Sequence, residues 1–453
     1  MNTLITFQEF EAAGDKAKFI SDAISRHKTS RAYLTAKAAD RYFAQRNETI
    51  INTRKVFDQL NKSTKAGGTE CVCSNFFYRL NTQRTMYSLG KGVAFSDSEE
   101  TKEKLGPRFD EDVKKMGKYA LIHGVSFPFW NLDHIDLFKL TEFAPFWDEV
   151  SGVLKAGVRW WQVSPYHRVN AVLYEEDGYT TYRSTGTDAD NFVQTAEKQS
   201  YKTTYAEVAA DGLVVCVEAE NYSKLPIFAL WGTESHLSTL EGLRGHIDSY
   251  DLVKNGFVDD VRDCAEIYWL LENYGGMNEK DEQEFLDRLN RNKIASVDTM
   301  EGGKVQAYTQ EVPTAARETM LARIKSDMYE DFGALDVHTV AAGATNDHID
   351  AAYQPLDEQA DEFESSVREC IKDILALQGI EDTPVFTRNR ISNQKEQVEV
   401  VAMEAQWLDE ETILRKLPNI TPDEVAAILE RNQANADDRL AFVQQETEPT
   451  EDE

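Results

Sequence analysis

Hydrophobic and polar positions along this chain follow two periods, and the helical one dominates its middle. After the apolar segment Leu225-Pro226-Ile227-Phe228-Ala229-Leu230-Trp231 and the polar link Gly232-Thr233-Glu234-Ser235, apolar residues recur at Leu240, Leu243, Ile247, Tyr250, Phe257, Val261, Cys264, Tyr268 and Leu271. Spacings of three, four or seven place them on one helix face. They predict a helix from 237 to about 266, about 45 Å long at 1.5 Å per residue. Gly242 and Gly245 weaken its first turns. A second long helix is predicted from Pro313, a favoured first-turn residue, through Ala316, Met320, Ile324, Met328, Phe332 and Leu335. Between the two lies a small module: a strand at 267–271, a charged helix at 279–290, an apolar segment at 294–297, a Gly302-Gly303 turn and a strand at 305–308. The pattern breaks over 336–355, where residues are mostly small or polar. It resumes as a third long helix carrying Leu356, Ala360, Phe363, Val367, Ile371 and Ile374 and closing near Gly379.

The flanks are simpler. Residues 1 to about 60 are predicted helical on Phe19, Ile20, Ala23, Ile24, Tyr33, Leu34, Tyr42 and Phe43, and 63–69 form a flexible turn or loop. A buried helix is expected over 75–81, and 86–95 ends in a glycine-punctuated strand. Another helix spans 108–122, with Phe109, Val113, Met116, Tyr119 and Ala120 on its apolar side, and the run His123 to Trp130 ends it. From there to about Glu220 the chain reads as β-rich, with strands at 158–163, 169–174, 180–184 and 214–218. After the third long helix come a strand at 384–391, opening on Pro384-Val385-Phe386-Thr387, and a helix over 394–406. A last helix opens at Thr421-Pro422 and runs to about Gln433, and the acidic tail 444–453 is expected to be disordered. The fold class is α+β, predominantly α.

Charge narrows the function. The net charge is −30. A protein built to grip nucleic acid is normally basic, because phosphate neutralisation supplies most of the affinity. DNA, if involved, is passed rather than held; the same acidity also serves plain solubility. The five cysteines Cys71, Cys73, Cys216, Cys264 and Cys370 form no framework, which points to a reducing compartment. Cys71-Val72-Cys73 lacks the two-residue spacer of a zinc knuckle or redox pair. No N-terminal apolar stretch has signal-peptide length and no run approaches the ~20 residues of a membrane span, so a cytoplasm-like setting is expected.

Candidate chemistry is sparse. The aromatics Phe143, Phe146, Trp147, Trp160, Trp161, Tyr166 and Tyr174 fit a stacking platform for bases or the core of a small sheet domain. Only Lys155, Arg159 and Arg168 interleave with them, which favours core. Gly90-Lys91-Gly92 lacks the GxxxxGK[ST] pattern and reads as a turn. His338 and His348, with Asp347 and Asp350, share one expected loop, so a metal-dependent nuclease or hydrolase is one reading. Solvent-facing loop residues are the other, and neither HExxH spacing nor a partner cluster supports the enzyme. GxSxG, Walker A, GxGxxG and paired-carboxylate motifs are missing from any convincing strand–turn–helix context. No catalytic, cofactor-binding or metal residue is assigned, and the pattern argues for architecture over catalysis.

Five pieces then occur in a recognisable order. They are the helix with Tyr42-Phe43 and later Ile50; Asn75…Asn81…Tyr87…Gly90…Val93; His123-Gly124 followed by aromatics; Leu225-Pro226-Ile227 leading into Leu243…Ile247-Asp248-Ser249-Tyr250-Asp251; and Leu408-Asp409-Glu410-Glu411-Thr412-Ile413-Leu414…Leu417-Pro418…Asp423-Glu424. With the helix–module–helix–loop–helix pattern, this order resembles the portal proteins of tailed bacteriophages, most closely those of long-tailed siphophages. One departure stands in the loop. Family members often carry a Ser-Gly-Val-Ala-like stretch there, and this chain has Ala341-Ala342-Gly343-Ala344-Thr345.

The resemblance implies a non-enzymatic head-to-tail connector without cofactors. It would be a homo-oligomeric ring, typically a dodecamer, at one capsid vertex of the virion, assembled in the host cytoplasm and not in a membrane. Double-stranded DNA would pass through it during packaging and ejection. It would nucleate head assembly with major capsid and scaffold proteins, dock the terminase large subunit, and later dock a head-completion adaptor. Carried onto this chain, the wing is 1–235 and 356–403, the stem helices 236–266 and 313–335, the clip 267–312, the tunnel loop 336–355 and the crown 404–435; 436–453 are the tail. Val337, His338, Thr339, Gly343, Thr345, Asn346 and His348 would line the constriction. Arg317, Arg323 and Lys325 on the second stem helix are candidates for scattered DNA-backbone contacts, or for a solvated or intersubunit salt-bridged face. A head–tail adaptor module is a further alternative, which chain length and the two-helix stem oppose.

Overall fold

The structure is a computed structural model. It describes residues 5–53, 71–96, 99–208, 213–264, 268–272, 280, 283, 304–308, 314–337, 346–390, 394–405, 407–416, 428–429 and 431–432. In chain order the elements are β1 (Ile5–Thr6), α1 (Phe7–Ala12), α2 (Lys16–Thr29), α3 (Arg31–Phe43), α4 (Phe76–Leu89), β2 (Val93–Phe95), α5 (Glu99–Lys104), α6 (Phe109–His123), β3 (Val125–Asn131), β4 (His134–Lys139), β5 (Phe143–Trp147) and β6 (Leu154–Trp161). There follow β7 (Asn170–Glu175), β8 (Gly178–Ser184), β9 (Phe192–Gln194), β10 (Lys202–Val208), β11 (Leu213–Glu220), β12 (Leu230–Trp231), α7 (Leu240–Cys264), β13 (Tyr268–Glu272), β14 (Lys304–Tyr308), α8 (Thr314–Phe332), α9 (Asn346–Leu377), β15 (Pro384–Phe386), α10 (Gln394–Glu404) and α11 (Glu410–Lys416). The fold is mixed α/β. It divides into two units, one of 1–36, 80–238 and 333–453, the other of 37–79 and 239–332.

The first unit is built on a six-stranded open sheet of order β1-β5-β6-β7-β8-β9, in which only β1 runs parallel to its neighbour. Along β7, Ala171 and Leu173 enter one core cluster and Val172 and Tyr174 the other. Both faces are therefore buried, which is why the strand reads as a continuous apolar run instead of alternating. One face packs on α2 through Ile20, Ala23 and Ile24. The other meets the three-stranded sheet β12-β3-β4, together with α6 and Phe363, Val367, Ile371 and Ile374 of α9. Most of the aromatics singled out by the sequence sit in this core: Phe143, Phe146, Trp160 and Tyr174 are buried and Trp147 is half-buried, whereas Trp161 and Tyr166 lie on the surface at 39% and 90% exposure.

Several boundaries differ from the sequence expectation. The run after His123 does more than end a helix: 125–131 form β3, paired with β4 and β12. The helix stops at Gly124, φ +88°, where a Cβ would lie 2.8 Å from the Leu237 carbonyl carbon. Only glycine fits that close approach without strain. β1, β4, β5, β9 and β10 were not expected. The turn at 63–69, the segment 294–297, most of the helices at 279–290 and 421–433, and the tail lie outside the described residues.

In the second unit, α7 and α8 pack side by side and lead into and out of the antiparallel pair β13–β14, with Tyr268 opposite Tyr308. This matches the expected helix–module–helix order. α7 begins at Leu240, just before the two glycines, and buries Leu240, Leu243 and Ile247. Its inward face then turns polar. Asp251 and Asn255 are buried, and both bind the chain that returns from α3. Asn255 holds Val72 by both backbone groups at 2.9 Å, while Asp251 accepts from Ser74 N–H at 2.8 Å and Asn47 Nδ2 at 2.9 Å.

Candidate functional site

α8 ends at Phe332, and Gly333 takes φ +62°. Leu335 is buried, and its carbonyl accepts a 2.8 Å hydrogen bond from Gln83 Nε2. Val337 is 54% exposed. Residues 338–345, which include His338, Thr339, Gly343 and Thr345, lie outside the described residues. α9 then starts at Asn346, not at Leu356. The expected loop of 336–355 is thus corrected: 346–355 are helical, Asn346 is the first residue of α9, and His348, with Asp347, is exposed on its first turn.

The cause is visible in the packing. Ile349 and Tyr353 extend the three- and four-residue spacing of Leu356 and Ala360 backwards, and all four are buried with Tyr87 and Leu335. Ala351 and Ala352 are strong helix formers. Pro355 sits inside the helix, at the cost of one backbone hydrogen bond. The sequence held this signal, since the stripe continues through Pro355, and the proline hid it.

Two arginines that sequence reasoning missed hold this helix. Arg388 forms a fork on Glu364, 3.1 Å from each oxygen, and reaches Asp357 at 2.9 Å and also Asp361. Arg390 donates to Tyr87 Oη at 2.9 Å and pairs with Asp350 at 3.1 Å and with Asp357. Tyr87 in turn donates to Asp357 and stacks on Tyr353, ring centroids 5.5 Å apart. Burial pulls the Asp357 carboxyl upward, but hydrogen bonds from Tyr87 and Arg390 outweigh it and leave it below its ordinary value. Burial, with Asp357 as acceptor, pushes the Tyr87 hydroxyl up to about 12. The hydrogen bonds to Glu364 hold the Arg388 guanidinium above its ordinary value. Glu364 is buried, so Arg388→Met should cost about 2 kcal/mol, below the 3–5 of a fully buried pair because water reaches the cluster. Urea unfolding at neutral pH measures it. The Asp357 contribution is present above the ordinary carboxylate range and lost as pH falls through it.

The basic residues of α8 are each engaged within their own unit. Arg323 pairs with Asp327 at 2.8 Å, one turn on. The Arg317 guanidinium lies over the Phe257 ring at 5.9 Å, and Lys325 over Tyr329 at 5.5 Å. Among the described residues, no group of three or more His, Cys, Asp or Glu is placed to hold a metal ion. No helix among them is long and apolar enough to cross a membrane. The first unit also holds a cavity of about 610 Å³ lined by His27, Phe127, Trp147 and Trp231 among others.

Along the chain, a pair of long helices leads into and out of a strand pair, and a third long helix follows. The chain matches the family described as phage portal protein, SPP1 Gp6-like, over residues 23–438, and belongs to that family. It is 30% identical over 209 residues to the portal protein of Clostridium phage phiCD119, covering 44% of this chain and 46% of that one. It is 28% identical over 232 residues to the portal protein of Bacillus phage SPP1, covering 47% of this chain and 45% of that one. The matches thus span under half the length of these curated relatives.

Proposed function

We propose that this chain is a phage portal subunit, a structural and non-enzymatic protein. It assembles head to tail with copies of itself into a ring, a dodecamer by family expectation, at one vertex of the capsid. Double-stranded DNA enters and leaves through the central channel. The family match over 23–438 carries this reading. The helix pair α7–α8 supports it, because a pair packed side by side and repeated around an axis makes a wall with an axial hole. In the same reading α7 and α8 form the stem, β13 and β14 belong to the clip that docks the terminase large subunit and later the adaptor, and 338–345 narrow the channel. Major capsid and scaffold proteins are the subunit's partners during assembly in the host cytoplasm.

Charge suits a conduit. Twelve copies at −30 each would total about −360, so the duplex slides past weak, distributed contacts. Arg317 reaches across to the Phe257 ring of α7, whereas Arg323 and Lys325 are engaged within α8 by Asp327 and Tyr329, so any contact of theirs with DNA competes with these pairings. Negative-stain class averages viewed down the particle axis, with native mass, test the proposal. Rings with a central hole are expected, and a purified protein that stays monomeric at every salt concentration overturns it.

A further inference from the structure

Arg390 touches α9 on both sides of Pro355. It pairs with Asp350 at 3.1 Å on the N-terminal side and with Asp357 on the C-terminal side, and its Nε donates to Tyr87 Oη at 2.9 Å. Its guanidinium also lies 5.7 Å from the Tyr353 ring centroid. Pro355 has no N–H, so the Ala351 carbonyl loses its helical donor at the point Arg390 spans. Such a missing rung is a common cause of helix bending. A second contact confines the weak point as well. Gly333 lies so close that a Cβ there would be 3.2 Å from the Pro355 carbonyl oxygen and 3.1 Å from Gln359 Cγ.

From this we infer that Arg390 is a staple across a proline hinge. It locks the segment 346–354 in line with the rest of α9, and releasing it lets that segment swing. Arginine suits the task because one planar fork serves two carboxylates and a hydroxyl at once, which the point charge of lysine does not match. Arg388 plays a different part. All its carboxylate partners, Asp357, Asp361 and Glu364, lie beyond Pro355, so it fixes the stationary half of the helix. The inference concerns the helix itself and stands without the ring reading.

Hydrogen–deuterium exchange on the whole 453-residue chain tests it. Arg390→Met should speed exchange of the 350–354 amides about fivefold, the scale of losing one good ion-pair contact. The amides of 367–377 should be unchanged. Arg390→Lys should fall between Met and wild type. In a Pro355→Ala background the missing rung is restored, and the effect of Arg390→Met on 350–354 should vanish. Unchanged exchange at 350–354 in Arg390→Met overturns the staple. So does an equal acceleration in both backgrounds, or one that spreads evenly to 367–377, since either would mark Arg390 as a general packing residue.

Discussion

Acidification from pH 7 to about pH 4 is expected to cost the first unit about 3 kcal/mol through His27 alone. His27 is buried under the six-stranded sheet, with its ring edge-on to Trp160 at 5.7 Å and to Tyr33 at 5.5 Å. Its Nε2–H donates to the Leu140 carbonyl at 2.8 Å, which fixes the neutral tautomer. Burial drives its pKa from 6.5 down to about 4, against a smaller opposing pull from that hydrogen bond. The sign follows from linkage. The unfolded chain takes up a proton below about 6.5 and the folded one only near 4, so stability is full above the unfolded value and is lost as pH falls through the folded one. Trp160 sits beside the ring, and its fluorescence in urea titrations at several pH values reports this unit. His27→Gln keeps a donor for Leu140 and removes the titration, so its profile should stay flat between pH 7 and about pH 4 apart from the carboxylates. A wild type whose loss over that window equals that of His27→Gln would refute the assignment.

What the sequence disclosed and what it hid follow from the range of the interactions. The stripe Leu240, Leu243, Ile247 was legible because periodicity is local, and so was the stripe from Leu356 to Ile374. The polar turn of α7 at Asp251 and Asn255 was not, since those residues face inward only to satisfy Val72, Ser74 and Asn47, far away along the chain. β3 was missed for a related reason. Its run Val125 to Trp130 is buried throughout and, apart from Ser126, apolar because both faces are covered, and without alternation a strand resembles the end of a helix. β1 is two residues long and exists only through its pairing with β5. At the candidate site, one proline outweighed the continuing spacing of Ile349 and Tyr353, so α9 was begun ten residues late. Arg388 and Arg390 carried no local sign of their role, because their carboxylate partners stand on another element and only the fold brings them together.

Removing Ala341, Ala342, Gly343 and Ala344 is expected to leave ring assembly intact and to reduce DNA retained in heads to near background. The reasoning joins the proposed channel reading to the anchors on either side. Leu335 is tied to Gln83 before the link, and Asp350 and Asp357 are tied to Arg390 after it. A cut confined to 341–344 spares both anchors, whereas a cut extending to 352 would delete the first turns of α9, and with them Ile349, from the cluster around Tyr87. Loops that carry function on a rigid frame tolerate changes of length better than the frame does, so folding and oligomerisation should survive. Two measurements separate the outcomes. Native mass of the variant reports the ring, and nuclease-protected genome copies per head report packaging and retention. Intact rings with wild-type protected DNA would show that 341–344 do not narrow the channel. Loss of the ring itself would show that the segment is an oligomer contact, and the constriction would then have to be sought on α8, where Met320 is 51% exposed one turn from Arg317 and Arg323.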